Sequence, residues 1–178
     1  MLCEADEELL VIDQHAAHER VNFERLTRAV SDATVATARL DPAETIPLAP
    51  ETVATVETNR QVLADFGFDT DTFGRGTIRL RSVPAPFGRA ADVDAFRDAV
   101  DTLAVGDEPD ALRREVARDI ACHHSVRAGD SLDSEQIQLL LDRLDECEQP
   151  FHCPHGRPTV LSLDEATLAA GFDRRDRR

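Results

Sequence analysis

One stretch near the start of the chain decides much of the fold: Leu9-Leu10-Val11-Ile12-Asp13-Gln14-His15-Ala16-Ala17-His18-Glu19. Its first four residues form a continuous apolar run, which is typical of a buried β-strand. Asp13 ends that run and can cap a helix in which Phe23, Leu26 and Val30 recur at helical spacing. The sequence therefore predicts a strand that leads directly into a helix, with polar side chains at the junction.

The composition of the rest of the chain changes at two points. Between about residues 40 and 111, prolines and glycines separate the apolar stretches, and this section is predicted to be a separate α+β lobe. The other predicted elements are a strand over 1–4, an amphipathic stretch over 51–66, a strand over 77–83, helices over 92–103, 109–125 and 134–147 (the last starting at Ser134), a strand over 159–163, a short helix from Asp164 and a frayed basic tail over 174–178.

Length and composition bound the class of protein. At 178 residues with 42% hydrophobic residues, the chain can form one compact unit or two small lobes. No apolar run approaches the roughly 20 residues that cross a bilayer, so no membrane partner is expected. No signal sequence opens the chain, and we expect a cytoplasmic location in which the four cysteines remain thiols.

The chain is strongly acidic, with a formal net charge of -15 and no lysine. Two causes could produce this charge: a basic partner, or selection for solubility in concentrated salt. The acidic residues are spread along the whole chain instead of forming a block, which favours salt adaptation. This acidity argues against strong binding to nucleic acid.

A second stretch, Cys153-Pro154-His155-Gly156-Arg157-Pro158, carries two metal-binding side chains in a predicted tight turn. Pro154 stiffens this turn and Gly156 lets the backbone double back. In the first stretch, His15 and Glu19 are four residues apart and share a helix face. Cys122, which two histidines follow, lies between the two stretches in sequence. Three distant segments could therefore assemble one metal site.

Sulfur, nitrogen and carboxylate ligands together suit zinc or a similar borderline metal, whereas manganese would rely more on the oxygens. Each piece alone also fits a plainer role. His15 with Glu19 is a common type of surface pair, and Cys122 on an apolar helix face is a common core residue. Cys3 and Cys147 have no histidine close by in sequence and are expected to be small buried hydrophobes.

Three motifs together resemble the C-terminal domain of MutL-type DNA mismatch repair proteins. Residues 13–24 match the family signature Asp-Gln-His-Ala-x2-Glu-x4-Glu, which ends at Glu24. Ala121-Cys122-His123 stands where the family has Ala-Cys-Arg or a close variant, and residues 153–158 match Cys-Pro-His-Gly-Arg-Pro in full. The motifs occur in the family's order and extend over most of the chain, so the joint resemblance is specific.

The resemblance implies an α+β fold with a discontinuous dimerisation lobe, residues 1–40 and 109–178, and an external regulatory lobe inserted over 41–108. It also implies a metal-dependent endonuclease that nicks duplex DNA in mismatch repair and forms a homodimer. The ATPase domain of such proteins precedes this region, so no ATP site is expected, and the abrupt start suggests that upstream residues are missing. One alternative is a non-catalytic dimerisation module with a structural or regulatory zinc site. Another is an unrelated metallohydrolase, for which the sequence has no pocket signal.

Carried over position by position, the resemblance also implies the site. Asp13 would be the acid needed for cleavage, and Glu19 could bridge two ions. Arg157 would orient a phosphate or brace its loop. The cofactor would be zinc, manganese or both, and the implied metal ligands are His15, Glu19, Cys122, Cys153 and His155. The remaining histidines of the motifs, His18, His123 and His152, are expected to lie near the ligands or at the surface.

Two departures from the family pattern bear on partners. His123 replaces the basic residue that often follows the middle cysteine, which weakens phosphate attraction or supplies an extra ligand. The family's clamp-binding motif, Gln-x-x-Leu-Leu-x-Pro, would fall at residues 36–42, but its glutamine is absent, so recruitment by a sliding clamp is uncertain. A MutS-type mismatch recognition protein is an expected partner through the full-length protein, and duplex DNA is expected to bind weakly to this chain alone.

Overall fold

The computed structural model describes residues 1–6, 8–105, 108–127 and 129–172. The predicted basic tail over 174–178 lies outside the described residues. The strands in this part of the chain are β1 (Leu2–Ala5), β2 (Glu8–Ile12), β3 (Thr37–Pro47), β4 (Asp69–Thr72), β5 (Thr77–Pro84) and β6 (Val160–Asp164). The helices are α1 (Gln14–Ser31), α2 (Pro50–Thr58), α3 (Arg60–Asp65), α4 (Val93–Val105), α5 (Pro109–His123), α6 (Ser134–Asp145) and α7 (Glu165–Phe172).

The chain divides into two compact units, and one of them is discontinuous. The first unit comprises Met1–Val21 and the chain from Val126 onward, and the second comprises Asn22–Ser125. The predicted α+β class is confirmed, with two antiparallel three-stranded sheets. The unit boundaries differ from residues 40 and 109, because α1 and α5 contribute Leu26, Val116 and Ile120 to the core of the second unit. The roles of the two lobes stay predictions.

The first unit contains the sheet with strand order β1-β2-β6. Ile12 and Val160 are paired across β2 and β6 and pack with Val21 of α1 and Leu140 and Leu144 of α6. The helix α6 starts with a capping box, because the Asp133 side chain accepts from the backbone N–H of Gln136 and the Gln136 side chain accepts from the backbone N–H of Asp133. Its first helical residue is Ser134, as predicted.

The second unit has a larger apolar core around the sheet β3-β5-β4. Phe68 and Phe96 meet there edge to face, with ring centroids 5.6 Å apart. The predicted amphipathic stretch over 51–66 forms two helices, because the backbone of Asn59 departs from helical angles, with φ -102° and ψ 17°. β3 and β4 were not predicted from the sequence, because they are short or proline-containing edge strands without a clear apolar alternation.

Within the described part of the chain, no helix combines the length and the apolar composition needed to span a bilayer.

Candidate metal centre

The centre begins at the junction of β2 and α1. The Oδ1 atom of Asp13 accepts hydrogen bonds from the backbone N–H groups of His15, at 3.0 Å, and Ala16, at 3.1 Å. This confirms that Asp13 caps α1. The backbone N–H of Asp13 in turn donates to the carbonyl of Thr159 at 2.9 Å. Asp13 is therefore bonded both to the first turn of α1 and to Thr159. These bonds fix the backbone from which the His15 side chain projects.

Glu19 lies one turn further along α1, and its side chain is only 1% exposed. Its Oε1 atom lies 3.1 Å from Nε2 of His15, as the predicted four-residue spacing requires. Oε1 nevertheless receives no hydrogen bond, since the two atoms do not meet in hydrogen-bond geometry. A buried carboxylate oxygen without a partner is costly, and a cation is the kind of ligand that would offset this cost.

The ring of His15 is oriented by a second contact. Its Nδ1 atom lies 2.7 Å from the carbonyl oxygen of Val126. Because a carbonyl can only accept, Nδ1 carries the proton in this bond, and Nε2 is the ring nitrogen that faces Glu19. The backbone N–H of Val126 donates to Nδ1 of His18 at 3.1 Å. Two histidines of α1 thus contact the same peptide segment, and this orientation of His15 is the one that metal ligation needs.

The turn predicted over residues 153–158 is present and is tightly closed. The N–H of Cys153 donates to the carbonyl of Arg157 at 2.8 Å, and the N–H of Gly156 donates to the carbonyl of Cys153 at 2.9 Å. Gly156 has a φ of 83°, a conformation that favours glycine. At the base of the turn, the N–H of Thr159 donates to the carbonyl of Phe151 at 3.0 Å. The sulfur and imidazole are consequently carried on backbone with little freedom.

The turn meets α1 at Glu19. One ligand atom each from Glu19, Cys153 and His155 lie within 4.8 Å of one another, and the thiol of Cys153 is buried. Nδ1 of His155 is 3.5 Å from Oε2 of Glu19. Tetrahedral zinc ligands at roughly 2.0–2.3 Å from the metal are about 3.3–3.8 Å apart, so this separation suits a shared ion. The donor set and the unpartnered Oε1 atom therefore fit a divalent metal.

Arg157 contributes positive charge beside these ligands. Its Nη2 atom donates to Oε2 of Glu19 at 3.4 Å, and its side chain is 59% exposed. A hydrogen bond with Cys153 and the negative charge of Glu19 raise the pKa of Arg157, with a smaller contribution from Asp13. The guanidinium thus contacts the Glu19 carboxylate, and much of it remains accessible to a second anion.

The other sequence candidates lie in different surroundings. Cys122 is half-buried on α5 in the second unit, and its assignment as a ligand stays a prediction. His123, also on α5, pairs through Nε2 with Asp98 at 2.7 Å. The carbonyl of His152 accepts a hydrogen bond from Arg20. Cys3 and Cys147 are half-buried against the core of the first unit.

Sequence reasoning missed two groups that support the centre, the Val126 carbonyl and Thr159. Thr159 is 1% exposed, and it contacts both the turn and Asp13 through its backbone. Its hydroxyl also donates to the carbonyl of Pro150. A backbone carbonyl leaves no trace in residue type, so no sequence signal could have indicated Val126.

Comparison with known proteins identifies the family of the chain. Residues 1–132 match the family model described as the MutL C terminal dimerisation domain. A DNA mismatch repair protein MutL from Deinococcus radiodurans is 42% identical over 175 residues, which cover 98% of this chain and 31% of that protein. MutL from Halobacterium salinarum is 39% identical over 181 residues, which cover 98% of this chain and 26% of that protein. MutL from Symbiobacterium thermophilum is 39% identical over 178 residues, which cover 97% of this chain and 28% of that protein.

This chain spans about a third or less of the length of those relatives. Its own residues form the strand, the capped helix and the turn over 153–158 described above. With the family match extending over residues 1–132, the chain belongs to the MutL C-terminal dimerisation domain family.

Proposed function

We propose that this chain is the homodimerising, metal-dependent endonuclease domain of a protein that acts in DNA mismatch repair. The observation that carries this proposal is the buried carboxylate of Glu19, whose two oxygens face two different histidines while one oxygen has no hydrogen bond. Such a carboxylate suits a bridge between two divalent ions. Zinc and manganese are the proposed metals.

Within this proposal, His15, Glu19, Cys153 and His155 hold the metal. When bound, a divalent metal lowers the pKa of a water molecule and neutralises charge on a phosphate. The residues of the chain supply the rest. The Val126 carbonyl holds the proton of His15 on Nδ1, so that Nε2 stays available as a ligand. Arg157 orients a phosphate with those guanidinium donors that Glu19 does not use.

Asp13 has two tasks in this proposal. Its Oδ1 atom caps α1, while its other carboxylate oxygen takes no part in the two capping bonds. That second oxygen and the negative charge are what hydrolysis would need, either to bind the metal through water or to accept a proton. The capping task explains why Asp13 would also persist in a non-catalytic protein, so its presence alone does not establish an enzyme.

Homodimerisation is supported by an apolar and partly exposed face of the sheet β1-β2-β6. Leu2, Val11 and Leu161 are aligned across the three strands and therefore point to one face. Leu2 is 70% exposed and Leu161 is 56% exposed. Leu9 and Leu163 extend the same apolar row. A second copy of the chain is the occupant we propose, because a two-fold interface buries the same patch on both subunits.

Duplex DNA is the proposed substrate and a weak ligand of the isolated chain. A net charge of -15 opposes the phosphate backbone, from which binding would gain by counterion release. The match to MutL proteins supports a MutS-type mismatch recognition protein as a partner of the longer protein.

A structural or regulatory zinc site is the second candidate function. The buried thiol of Cys153, on a rigid turn with His155, favours it, because closed sulfur and nitrogen sites are typical of structural zinc. The two candidates differ in what they require of Asp13. A structural site needs only the cap, whereas hydrolysis needs the charge.

The deciding experiment is nicking of supercoiled plasmid DNA with added manganese by the wild type, Asp13→Asn and Asp13→Ala. Asparagine keeps the capping oxygen but removes the charge, so we expect Asp13→Asn to fold normally and to lose nicking by about 100-fold or more. Asp13→Ala should additionally lose about 1 kcal/mol of stability. Nicking by Asp13→Asn at the wild-type rate would refute the endonuclease and favour structural zinc.

A further inference from the structure

The helix α1 contacts the ligand-bearing turn at a second point, next to Glu19. Arg20 is 6% exposed, and its Nε atom donates to the carbonyl of His152 at 2.6 Å. The two residues are separated by 132 positions in sequence, and both belong to the first unit. Buried arginines are rare unless their donors are used, so this bond has a stabilising task.

The position of the acceptor suggests what that task is. His152 immediately precedes Cys153, whose own N–H closes the turn on Arg157. A bond to the His152 carbonyl therefore restrains the peptide from which the ligand sulfur projects. Glu19 and Arg20 are neighbours on α1, so one helix turn contacts the ligand side chains through Glu19 and the backbone that carries them through Arg20.

We propose that Arg20 is a positioning residue, which sets the register of the 153–158 turn against α1 and so places Cys153 and His155 around Glu19. This inference rests on the proposed metal site. It assigns to Arg20 no contact with the metal or with substrate. Loss of groups that orient metal ligands typically weakens metal affinity by 10- to 100-fold, which is the size of effect expected here.

A matched pair of substitutions isolates the hydrogen bond. In glutamine the side-chain nitrogen is as many bonds from the backbone as Nε is in arginine, so Arg20→Gln can still donate to the His152 carbonyl. Methionine has nearly the same length and volume as glutamine, but it places a methyl group where glutamine has its donating nitrogen. Both variants lose the positive charge and the rest of the guanidinium, and they differ chiefly in the donor.

The experiment titrates each variant of the metal-free chain with Co²⁺ and follows the thiolate-to-cobalt charge-transfer absorption that Cys153 ligation would produce. We expect Arg20→Gln to bind Co²⁺ nearly as tightly as the wild type, and Arg20→Met to bind it about tenfold or more weakly. Arg143→Met is the control, because Arg143 is a half-buried arginine on α6 in the same unit. It should leave the cobalt affinity unchanged.

The outcomes separate this inference from the proposed function. If the wild type gives no thiolate band, the metal site itself is wrong and the role of Arg20 falls with it. If the wild type binds Co²⁺ but the glutamine and methionine variants bind equally, the positioning role is refuted while the metal site stands. Should circular dichroism show that both neutral variants unfold, Arg20→Lys takes their place. It keeps the charge but puts a methylene where Nε was, and wild-type cobalt affinity in that variant would refute the proposal.

Discussion

The two units of the chain differ in what fills their interiors. Among the described residues, the buried cluster of the second unit comprises 18 apolar residues around a sheet, including Phe66, Phe68 and Phe96. The corresponding cluster in the described part of the first unit comprises five, namely Ile12, Ala17, Val21, Leu140 and Leu144. Next to this small core, the first unit buries the carboxylate of Glu19 and the guanidinium of Arg20.

This difference indicates that the second unit contributes most of the apolar stabilisation, whereas the first unit carries the candidate metal site. Apolar burial stabilises the second unit with no need of a ligand. The first unit has less apolar area to bury, and a buried carboxylate with an unpartnered oxygen opposes its folding. We therefore expect the first unit to depend on metal, and on a second copy of the chain, far more than the second unit does.

The largest expected effect is on the core of the second unit. Phe96→Ala removes a fully buried ring that packs on Phe68, and should lower the free energy of unfolding by about 3–5 kcal/mol. Cobalt affinity, measured at a temperature where the variant is folded, should stay at the wild-type value. Urea denaturation and metal titration together check this prediction. A loss of metal affinity as large as the loss of stability would contradict the division between the units.

The second prediction concerns Glu19. At free zinc of roughly 100 times Kd, the wild type should gain about 2.7 kcal/mol of stability, and Glu19→Gln should lose this gain. Without metal, the variant should be about as stable as the wild type, because it removes a buried charge while its amide oxygen can still accept from Arg157. Thermal melts with and without zinc measure both effects.

Glu24→Gln is the matched control for this prediction, since Glu24 lies more than one turn further along α1 and is not a predicted ligand. The control should respond to zinc as the wild type does. Zinc stabilisation that survives in Glu19→Gln would remove Glu19 from the site.

The smallest expected effect compares the outer faces of the two sheets. The face of β1-β2-β6 that carries Leu161 is apolar, whereas in the other sheet Arg79 is paired with Thr45 and Asp71. Leu161→Asp should weaken dimerisation at least tenfold, or by about 1.4 kcal/mol, whereas Thr45→Asp should leave it unchanged. Sedimentation equilibrium over a concentration series measures both constants. Dissociation by Thr45→Asp alone would place the interface on the second unit.

Much of the local structure could be predicted from the sequence. The apolar run before Asp13, the capping oxygen and the helical spacing that follows act over a few residues, so the sequence predicts β2 and the start of α1 close to where they are observed. β3 was missed because its pairing with β5 includes an irregularity between Arg39 and Glu44, which disrupts the alternation that marks a strand. The break at Asn59 was missed because it lies in the backbone angles of one residue, which no residue pattern indicates.

The support of the candidate centre was harder to predict. Arg20 precedes Phe23 by three residues and therefore lies on the apolar side of α1, a signal that could have indicated a buried arginine. Its acceptor could not be predicted, since a carbonyl 132 residues away has no residue-type signature. The salt-adapted surface inferred from the charge pattern also stays a prediction.

The sequence by itself determined which side chains are available for chemistry, and their local geometry. The four-residue spacing of His15 and Glu19, and the turn that carries Cys153 and His155, follow from short-range backbone preferences. Only the tertiary structure decided that this turn closes on Glu19, that Val126 orients His15 and that Thr159 contacts Asp13. Those contacts join residues more than 100 positions apart, and they form because folding buries polar groups that must then find partners.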